Sequence, residues 1–294
     1  MRTKLLLATI IAAFCIIPAT AQTTLQLNLQ KGETYYQSST ATVKTEQSVG
    51  GMSISITVIM DLRNSYKVIN ITGDNYDLEV KYEKLAVSTN TPQGSLSFSS
   101  ENPKDATSSY LAEATKHPFN VKMNKSGEIL EVTNFEKLTS GEGLSAIEKE
   151  QIVQILSEEQ FKKNMETMTA IYPKSAVAKG DSWEKKDVIN SGGMDLTMTS
   201  KYTLAETGSS NKISGAMTFS TDPNAAPIES QGMSMRLNLN GTGTADITLD
   251  AKSGWITEAT IKQNITGEAQ ILDGMAAGMN IPMSINNTTT VNSK

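Results

Sequence analysis

Few residues in this chain have the type and spacing that enzyme chemistry needs. The chain has one histidine, His117, and one cysteine, Cys15. His117 precedes Pro118, where a surface loop is expected, and no Gly-x-Ser-x-Gly elbow is present for a Ser-His-Asp arrangement. Zinc needs three or four Cys, His or carboxylate ligands, which a single histidine does not begin to supply. We therefore expect no catalytic residue, no metal site and no cofactor, and we expect the protein not to be an enzyme.

The acidic residues leave one enzymatic alternative open. A carboxylate pair of the kind used in glycoside hydrolysis needs two acids roughly 5–10 Å apart, and sequence spacing does not exclude such a pair. However, Asp and Glu fall mainly on polar strand positions and in turns, which favours solvated faces.

Gly141–Ala146 resembles a dinucleotide-binding loop, but predicted hairpins surround it, so we interpret it as a linker into a capped helix. Asp74–Asp77 lacks the spacing of a calcium loop and indicates a hairpin turn.

Methionine is the unusual enrichment, with 14 in the chain. Three interpretations are open: flexible filling of an ordinary core, which the pattern favours; a deformable apolar cavity for a greasy ligand; and thioether coordination of Cu(I), which lacks supporting His or Cys. Carbohydrate-binding sheets usually present exposed aromatic side chains, so the content of only two Trp and 5% aromatic residues argues against a sugar-binding role. The residues that we predict to line an apolar ligand site are Met52, Ile54, Ile56, Met194, Met198, Met233, Met235, Phe161 and Met165.

The elements that would position these residues are mostly strands. In Gly51–Leu62 the even positions from Met52 onward are all apolar and the odd positions mostly polar, which is typical of a strand with one buried face. Similar alternation recurs along the chain and predicts a mainly β protein. Ser88–Asp105 is polar and predicts a long loop, whereas Ala106–Lys116 predicts a short helix.

One segment has a clear helical pattern. Ser145–Glu148 and Ser157–Gln160 are capping boxes, and apolar residues from Phe161 to Tyr172 then follow at helical spacing up to Pro173. We interpret the segment as an amphipathic helix packed on a sheet, with a partner-binding helix as the alternative.

Short motifs recur in the same order in the two halves of the chain. Each half contains a Lys-Gly-acid strand start, a Gly-Gly-Met turn, a Tyr-containing strand and a Lys-Ser-Gly turn. Recurrence in order predicts an internal duplication, giving two similar curved antiparallel sheets joined by a central helical segment. The predicted divisions are a signal peptide (1–21), a first β repeat (22–140), a helical connector (141–173) and a second β repeat (174–294), and the two repeats are also compatible with one continuous domain.

The beginning of the chain predicts export. A basic start, an apolar run from Leu5 to Ile17 and an Ala-Thr-Ala ending form a secretory leader, which would be cleaved before Gln22. Removal of the leader takes away Cys15 and leaves no transmembrane span. The net charge of −5 with no basic cluster argues against nucleic acid as a partner. We expect a periplasmic or extracellular protein.

Four of these motifs also carry a resemblance. Lys31–Tyr35, Phe119–Ile129, Phe161–Pro173 and Val177–Trp183 together resemble an uncharacterised family of secreted Gram-negative proteins, a domain of unknown function. The resemblance implies a β-sheet fold and no catalytic residues. The expected curved sheet is also similar in shape to periplasmic lipoprotein carriers, which is an analogy only.

From the sequence we expect an exported binding protein that holds a lipid or another apolar small molecule in a groove between sheet and helix. The alternative is a structural or protein-interaction module that binds envelope proteins.

Overall fold

The structure, a computed structural model, describes residues 22–138, 156–169, 171–191, 194–230 and 233–293. The predicted signal peptide and the capping box Ser145–Glu148 lie outside these residues.

Strands dominate the part of the chain that the structure describes. Their bounds are β1 Thr34–Val49, β2 Met52–Thr72, β3 Asn75–Thr91, β4 Gly94–Ser99, β5 Phe119–Asn124, β6 Ile129–Thr133, β7 Ser182–Ser191, β8 Met194–Glu206, β9 Ser210–Thr221, β10 Ile228–Ser230, β11 Met233–Asp250, β12 Ile256–Ile271 and β13 Asn280–Asn292. They form one antiparallel sheet in the order β6-β5-β3-β2-β1-β13-β12-β11-β9-β8-β7, with β4 paired to β3 and β10 paired to β11. The predicted mainly β fold is confirmed.

The prediction of two separate sheets is wrong, because the last strand joins the halves. β13 pairs with β1 from Ser38↔Asn292 to Gln47↔Met283, and on its other side it pairs with β12. The backbone groups of both neighbouring strands are thereby satisfied within one sheet. The predicted loop at 88–105 is also wrong in part, because β3 continues to Thr91 and forms a hairpin with β4.

The two halves of the sheet share irregularities at corresponding positions. The register of β2 against β3 shifts between Val68 and Asn70, and that of β8 against β9 shifts between Leu204 and Glu206. In each half the residue before the shift accepts a hydrogen bond from the glycine of the Lys-Gly-acid motif, Gly32 to Val68 and Gly180 to Leu204. The β5–β6 and β11–β12 pairs likewise shift shortly before their Lys-Ser-Gly turns.

Two α-helices accompany the sheet among the described residues. They are α1 Ala106–Ala114 and α2 Glu158–Thr169, with 3-10 turns at Phe135–Leu138 and Gly274–Ala276. The predicted cap of α2 is present, since the Ser157 hydroxyl oxygen accepts from the Gln160 backbone N–H at 3.1 Å. The helix buries Phe161, Met165 and Thr169 against the sheet.

The sheet curls around α2. The Met168 side chain lines a cavity with Leu62 and Tyr82, and also a small void with Met198 and Tyr202 on β8. Strand β3 lies seven steps from β8 in the sheet order, which is more than about 30 Å in a flat sheet. One side chain can reach both only because the sheet is strongly curved.

A glycine on β12 permits a close approach of two neighbouring strands. A Cβ at Gly267, where φ is +156°, would overlap the Asn238 carbonyl on the neighbouring strand. Only glycine accommodates such a close approach together with this backbone conformation.

Candidate functional site

The concave face of the sheet carries a continuous apolar row along β2. Residues directly opposite each other on antiparallel strands share one face, and the register places Thr45 opposite Ile56 and Ile285 opposite Thr45. Even-numbered β2 residues from Ile54 to Leu62 are half-buried, and Met52 at the hairpin tip is 70% exposed. We call the residues Ile54, Ile56, Val58, Met60 and Leu62 the apolar row. It extends from the rim of the sheet toward the core.

In the other half of the sheet, over β8 and β9, the same face is buried. Following the register from Ile285 through Ile265 and Gly241 leads to Phe219 and Met198, which are each 3% exposed. The concave face is therefore closed over β8 and β9 and half open over β1, β2 and β13. Among the described residues of the concave face, this asymmetry leaves apolar area accessible along the apolar row and its neighbours.

Helix α2 closes the lower end of this face. Phe161 packs edge-on against Phe119, with ring centroids 4.9 Å apart, and also faces Tyr82 and Phe135. Met165, one helical turn further on, is 4% exposed. These contacts fix the helix beneath the apolar row.

A cavity of about 50 Å³ lies where α2 meets β1, β2 and β3. Its lining includes the apolar side chains Leu62, Phe161, Met165 and Met168 and the polar side chains Gln37, Ser39, Asn64, Tyr66 and Asn164. The Tyr66 hydroxyl donates to Gln37 Oε1 at 3.4 Å and accepts from Asn64 Nδ2 at 3.0 Å. Among the described residues, Gln37 Nε2 and Asn64 Oδ1 have no hydrogen-bond partner although both atoms are buried. The cavity thus presents one unused donor and one unused acceptor.

The cavity is electrically neutral. The side chains that line it carry no ordinary charge, and burial raises the pKa of Tyr66 to about 12. Burial also raises the pKa of Tyr82, and the neighbouring Tyr66 raises it further. Both phenols stay protonated at neutral pH, so the site is suited to uncharged groups.

The structure brings some of the predicted ligand-lining residues together and separates others. Phe161 and Met165 line the cavity, and Ile54 and Ile56 lie on the apolar row above it. The others are distributed along the sheet: Met52 at the rim, Met198 across the concave face, Met194 and Met233 at the starts of β8 and β11, and Met235 half-buried opposite Ile271.

Sequence reasoning missed the polar members of the site. Asn64 follows Leu62 in the even series of β2, so its position alone places it on the apolar face. Gln37 lies directly opposite it on β1. A polar residue that interrupts an apolar series was the signal available for Asn64.

The titratable groups elsewhere do not form a comparable site. His117 is exposed and pairs with Glu113 at 3.2 Å, and no three His, Cys, Asp or Glu side chains of the described ranges are grouped as metal ligands. A charged groove of about 400 Å³ between α2 and β7 contains Lys185, Asp187 and Glu166. Burial lowers the pKa of Lys185.

Within the described part of the chain, no helix is long and apolar enough to cross a membrane.

Fold and site together define a class: an all-antiparallel protein whose single curved sheet wraps a helix and presents an apolar concave face. A model of a family of unknown function (DUF6263) matches residues 73–256, so the chain belongs to that family. The resemblance to a domain of unknown function is thus confirmed. No curated protein matches the chain.

Several solved structures are distantly similar. An outer membrane channel from Pseudomonas putida F1 is 9% identical, with 91% of this chain and 97% of that chain covered and a TM-score of 0.26. A DUF1329 family protein from Desulfovibrio piger is 8% identical, with 90% and 86% covered and a TM-score of 0.16. The translocator domain of the autotransporter NalP from Neisseria meningitidis is 8% identical, with 90% of each chain covered and a TM-score of 0.18. At such scores, function has to be argued from this chain itself.

Proposed function

We propose that this protein is an exported, non-enzymatic binding protein that holds an apolar chain-like molecule along the apolar row, between the sheet and α2. The observation that carries the proposal is the half-open apolar row that leads down to a cavity under the helix. Export is supported by the leader-like residues 1–21, and a periplasmic or extracellular location follows from it.

Hydrophobic burial would drive such binding. Each fully buried CH₂ group contributes about 0.8 kcal/mol, so a chain of ten to twelve carbons gains at most roughly 8–10 kcal/mol, and less on a half-open row, before the cost of immobilisation is subtracted. The row fits a narrow ligand, because its partners on β1 and β13 include small or polar residues such as Thr45 and Asn287.

We also infer that the sheet consists of two copies of one unit. The matched register shifts and the matched glycine hydrogen bonds support this inference, since irregularities at corresponding places seldom recur by accident. In this interpretation β13 closes the second copy onto the first.

A pair of isoleucines on the two faces of β2 tests the binding proposal. Ile56 lies on the apolar row and Ile59 on the opposite face. We expect Ile56→Asn to weaken the binding of the apolar fluorophore N-phenyl-1-naphthylamine at least tenfold, and Ile59→Asn to change it less than twofold. Native mass spectrometry before and after organic extraction should also show loss of a bound molecule. Equal effects of the two substitutions, or no fluorophore binding by the wild-type protein, would contradict the proposal.

One observation favours a second candidate, a protein-interaction module of the envelope. Strand β7 ends the sheet, and its Val188 side chain is 58% exposed. A free strand edge can accept a strand from a partner. If this is the function, Val188→Lys should abolish specific capture of an envelope protein and leave fluorophore binding unchanged. Failure of the wild-type chain to capture any specific partner from envelope extract would count against this candidate.

A further inference from the structure

The cavity under α2 holds a polar pair that the rest of the fold leaves unused. Gln37 and Asn64 are direct cross-strand partners on β1 and β2, so their side chains start about 5 Å apart on one face. Gln37 is 5% exposed. Its Nε2 donor and the Asn64 Oδ1 acceptor have no partner among the described residues. A buried polar atom left unpaired is destabilising, so this arrangement calls for a group that pairs with both.

A local irregularity of the sheet occurs at the same place. The register of β2 against β3 shifts between Arg63 and Asn64, where Glu83 is the extra residue. Among the register shifts described, this one has no counterpart in the second half of the sheet. Bulges commonly re-aim side chains beside functional sites, and this one adjoins both Asn64 and the cavity-lining Tyr82.

The chemistry of the pair is specific. A ligand group must accept a hydrogen bond from an amide N–H and donate one to an amide oxygen. A hydroxyl group does both with one atom. A carboxylate would lack the donor and would also bring a charge into a neutral, buried site.

The position of the pair matches the end of the apolar row. On β2 the residues Asn64, Leu62 and Met60 follow one another on the same face, so a chain lying on the apolar row ends at the pair. The cavity of about 50 Å³ exceeds the roughly 10–15 Å³ that one water needs, and it therefore admits a terminal hydroxyl with its first carbon.

We propose that Gln37 and Asn64 bind the terminal hydroxyl group of the apolar ligand, so that the ligand class is a neutral long-chain alcohol. This inference rests on the proposed function and adds the head group to it. Gln37 Nε2 donates to the hydroxyl oxygen, and the hydroxyl hydrogen is donated to Asn64 Oδ1. The Tyr66 hydroxyl, which contacts both amides, holds their orientation.

Displacement of N-phenyl-1-naphthylamine from the full chain by three matched ligands tests this assignment. The ligands are 1-dodecanol, 1-methoxydodecane, which retains the acceptor but lacks the donor, and dodecanoate. We expect 1-dodecanol to bind about tenfold more tightly than either of the others. Gln37→Leu and Asn64→Leu should each remove this preference, whereas Gln47→Leu, which lies on the same face of β1 nearer the rim, should keep it.

Folding is controlled in the same experiment. Each substitution removes a buried unpaired atom but also breaks the hydrogen bond between that amide and the Tyr66 hydroxyl, so we expect a modest fall in melting temperature and compare the ligand preference at a temperature where the variants remain folded. A fall in melting temperature with the preference intact would show that the pair serves the fold and would overturn the assignment.

The outcomes separate the two proposals. Equal displacement by all three ligands, with the variants unchanged, would mean that the pair holds only water, and the head-group assignment would fail while apolar binding stood. If no ligand displaced the fluorophore, or none bound, the proposed function itself would fail. The comparison of ligands on the wild-type chain does not depend on any variant.

Discussion

The alternation of apolar and polar residues along a strand predicts which face each side chain occupies. The residues that depart from it indicate the rim and the polar site. Alternation along β2 places Ile54 and Ile56 on the face that continues to the cavity-lining Leu62, although residues on both faces are half-buried from Ile54 to Leu62. It does not tell that Met52 is exposed at the hairpin tip, because exposure at a rim depends on what lies beyond the strand. Alternation also does not assign a role to Gln37, because its neighbour Asn64 is determined by the pairing of β1 with β2.

At the residue scale we predict that two glycines with similar backbones differ in cost when replaced by alanine. Gly127 (φ +81°) and Gly73 (φ +61°) both adopt the left-handed conformation, but a Cβ on Gly127 would overlap the Thr169 backbone, whereas Gly73 faces open space. Gly73→Ala should cost about 1–2 kcal/mol through backbone strain. Gly127→Ala should add about 1–3 kcal/mol through overpacking. Urea unfolding of both variants measures the difference, and equal losses would contradict the close approach of α2 to this turn.

Elements with strong local signals were predictable, and those set by pairing were not. The Ser157 cap and the apolar spacing predict α2 close to its observed bounds. Strand β4 was missed although serines alternate with Leu96 and Phe98, because the surrounding Ser, Asn and Pro residues were interpreted as a loop, whereas the segment forms a tight hairpin with β3. The polar cavity needs four elements, three neighbouring strands and the distant helix α2, so local patterns cannot show it.

At the element scale we predict a pH dependence in the β11–β12 turn. Asp250 Oδ1 accepts from the backbone N–H and the hydroxyl of Ser253, each at 2.7 Å. The Ser253 N–H, and then its hydroxyl, lower the pKa of Asp250 below its ordinary 3.8. Because the folded pKa is the lower one, the stabilisation is present above about pH 4 and disappears as pH falls through the folded pKa.

Substitution of Asp250 tests this sign. The difference in unfolding free energy between wild type and Asp250→Asn should be about 1 kcal/mol or less at pH 7, because the turn is largely solvated. That difference should shrink between pH 4 and pH 2.5 in urea titrations. An unchanged difference across that range would show that the carboxylate does not hold the turn.

On the scale of the whole molecule, β13 is the strand that connects the two halves of the sheet. Every backbone N–H in its central part pairs with β1 or β12, so a proline there removes a ladder hydrogen bond, which a central strand does not tolerate. We predict that Thr289→Pro abolishes cooperative unfolding monitored by circular dichroism, whereas Thr289→Val, which keeps the N–H, retains it. A wild-type unfolding midpoint for the proline variant would show that the halves hold together without this strand.

The overall architecture was only partly predictable, because pairing between strands that are distant in the chain leaves no local pattern in the sequence. The repeated motifs indicate two related halves, and the matched register shifts agree with that interpretation. Whether the halves form one sheet depends on the partners of the Thr-rich strand β13. Its apolar–polar alternation is the same whether it pairs along one edge or along both edges. Contacts between residues such as Ser38 and Asn292 leave no local pattern.

The place of β13 in the chain has a consequence for biosynthesis. The strand that lies between the halves is separated from its neighbour β1 by all the other strands along the chain. During translation, β1 therefore keeps one unpaired edge until β13 has been synthesised. The sheet of such a chain is completed only when β13 pairs with β1.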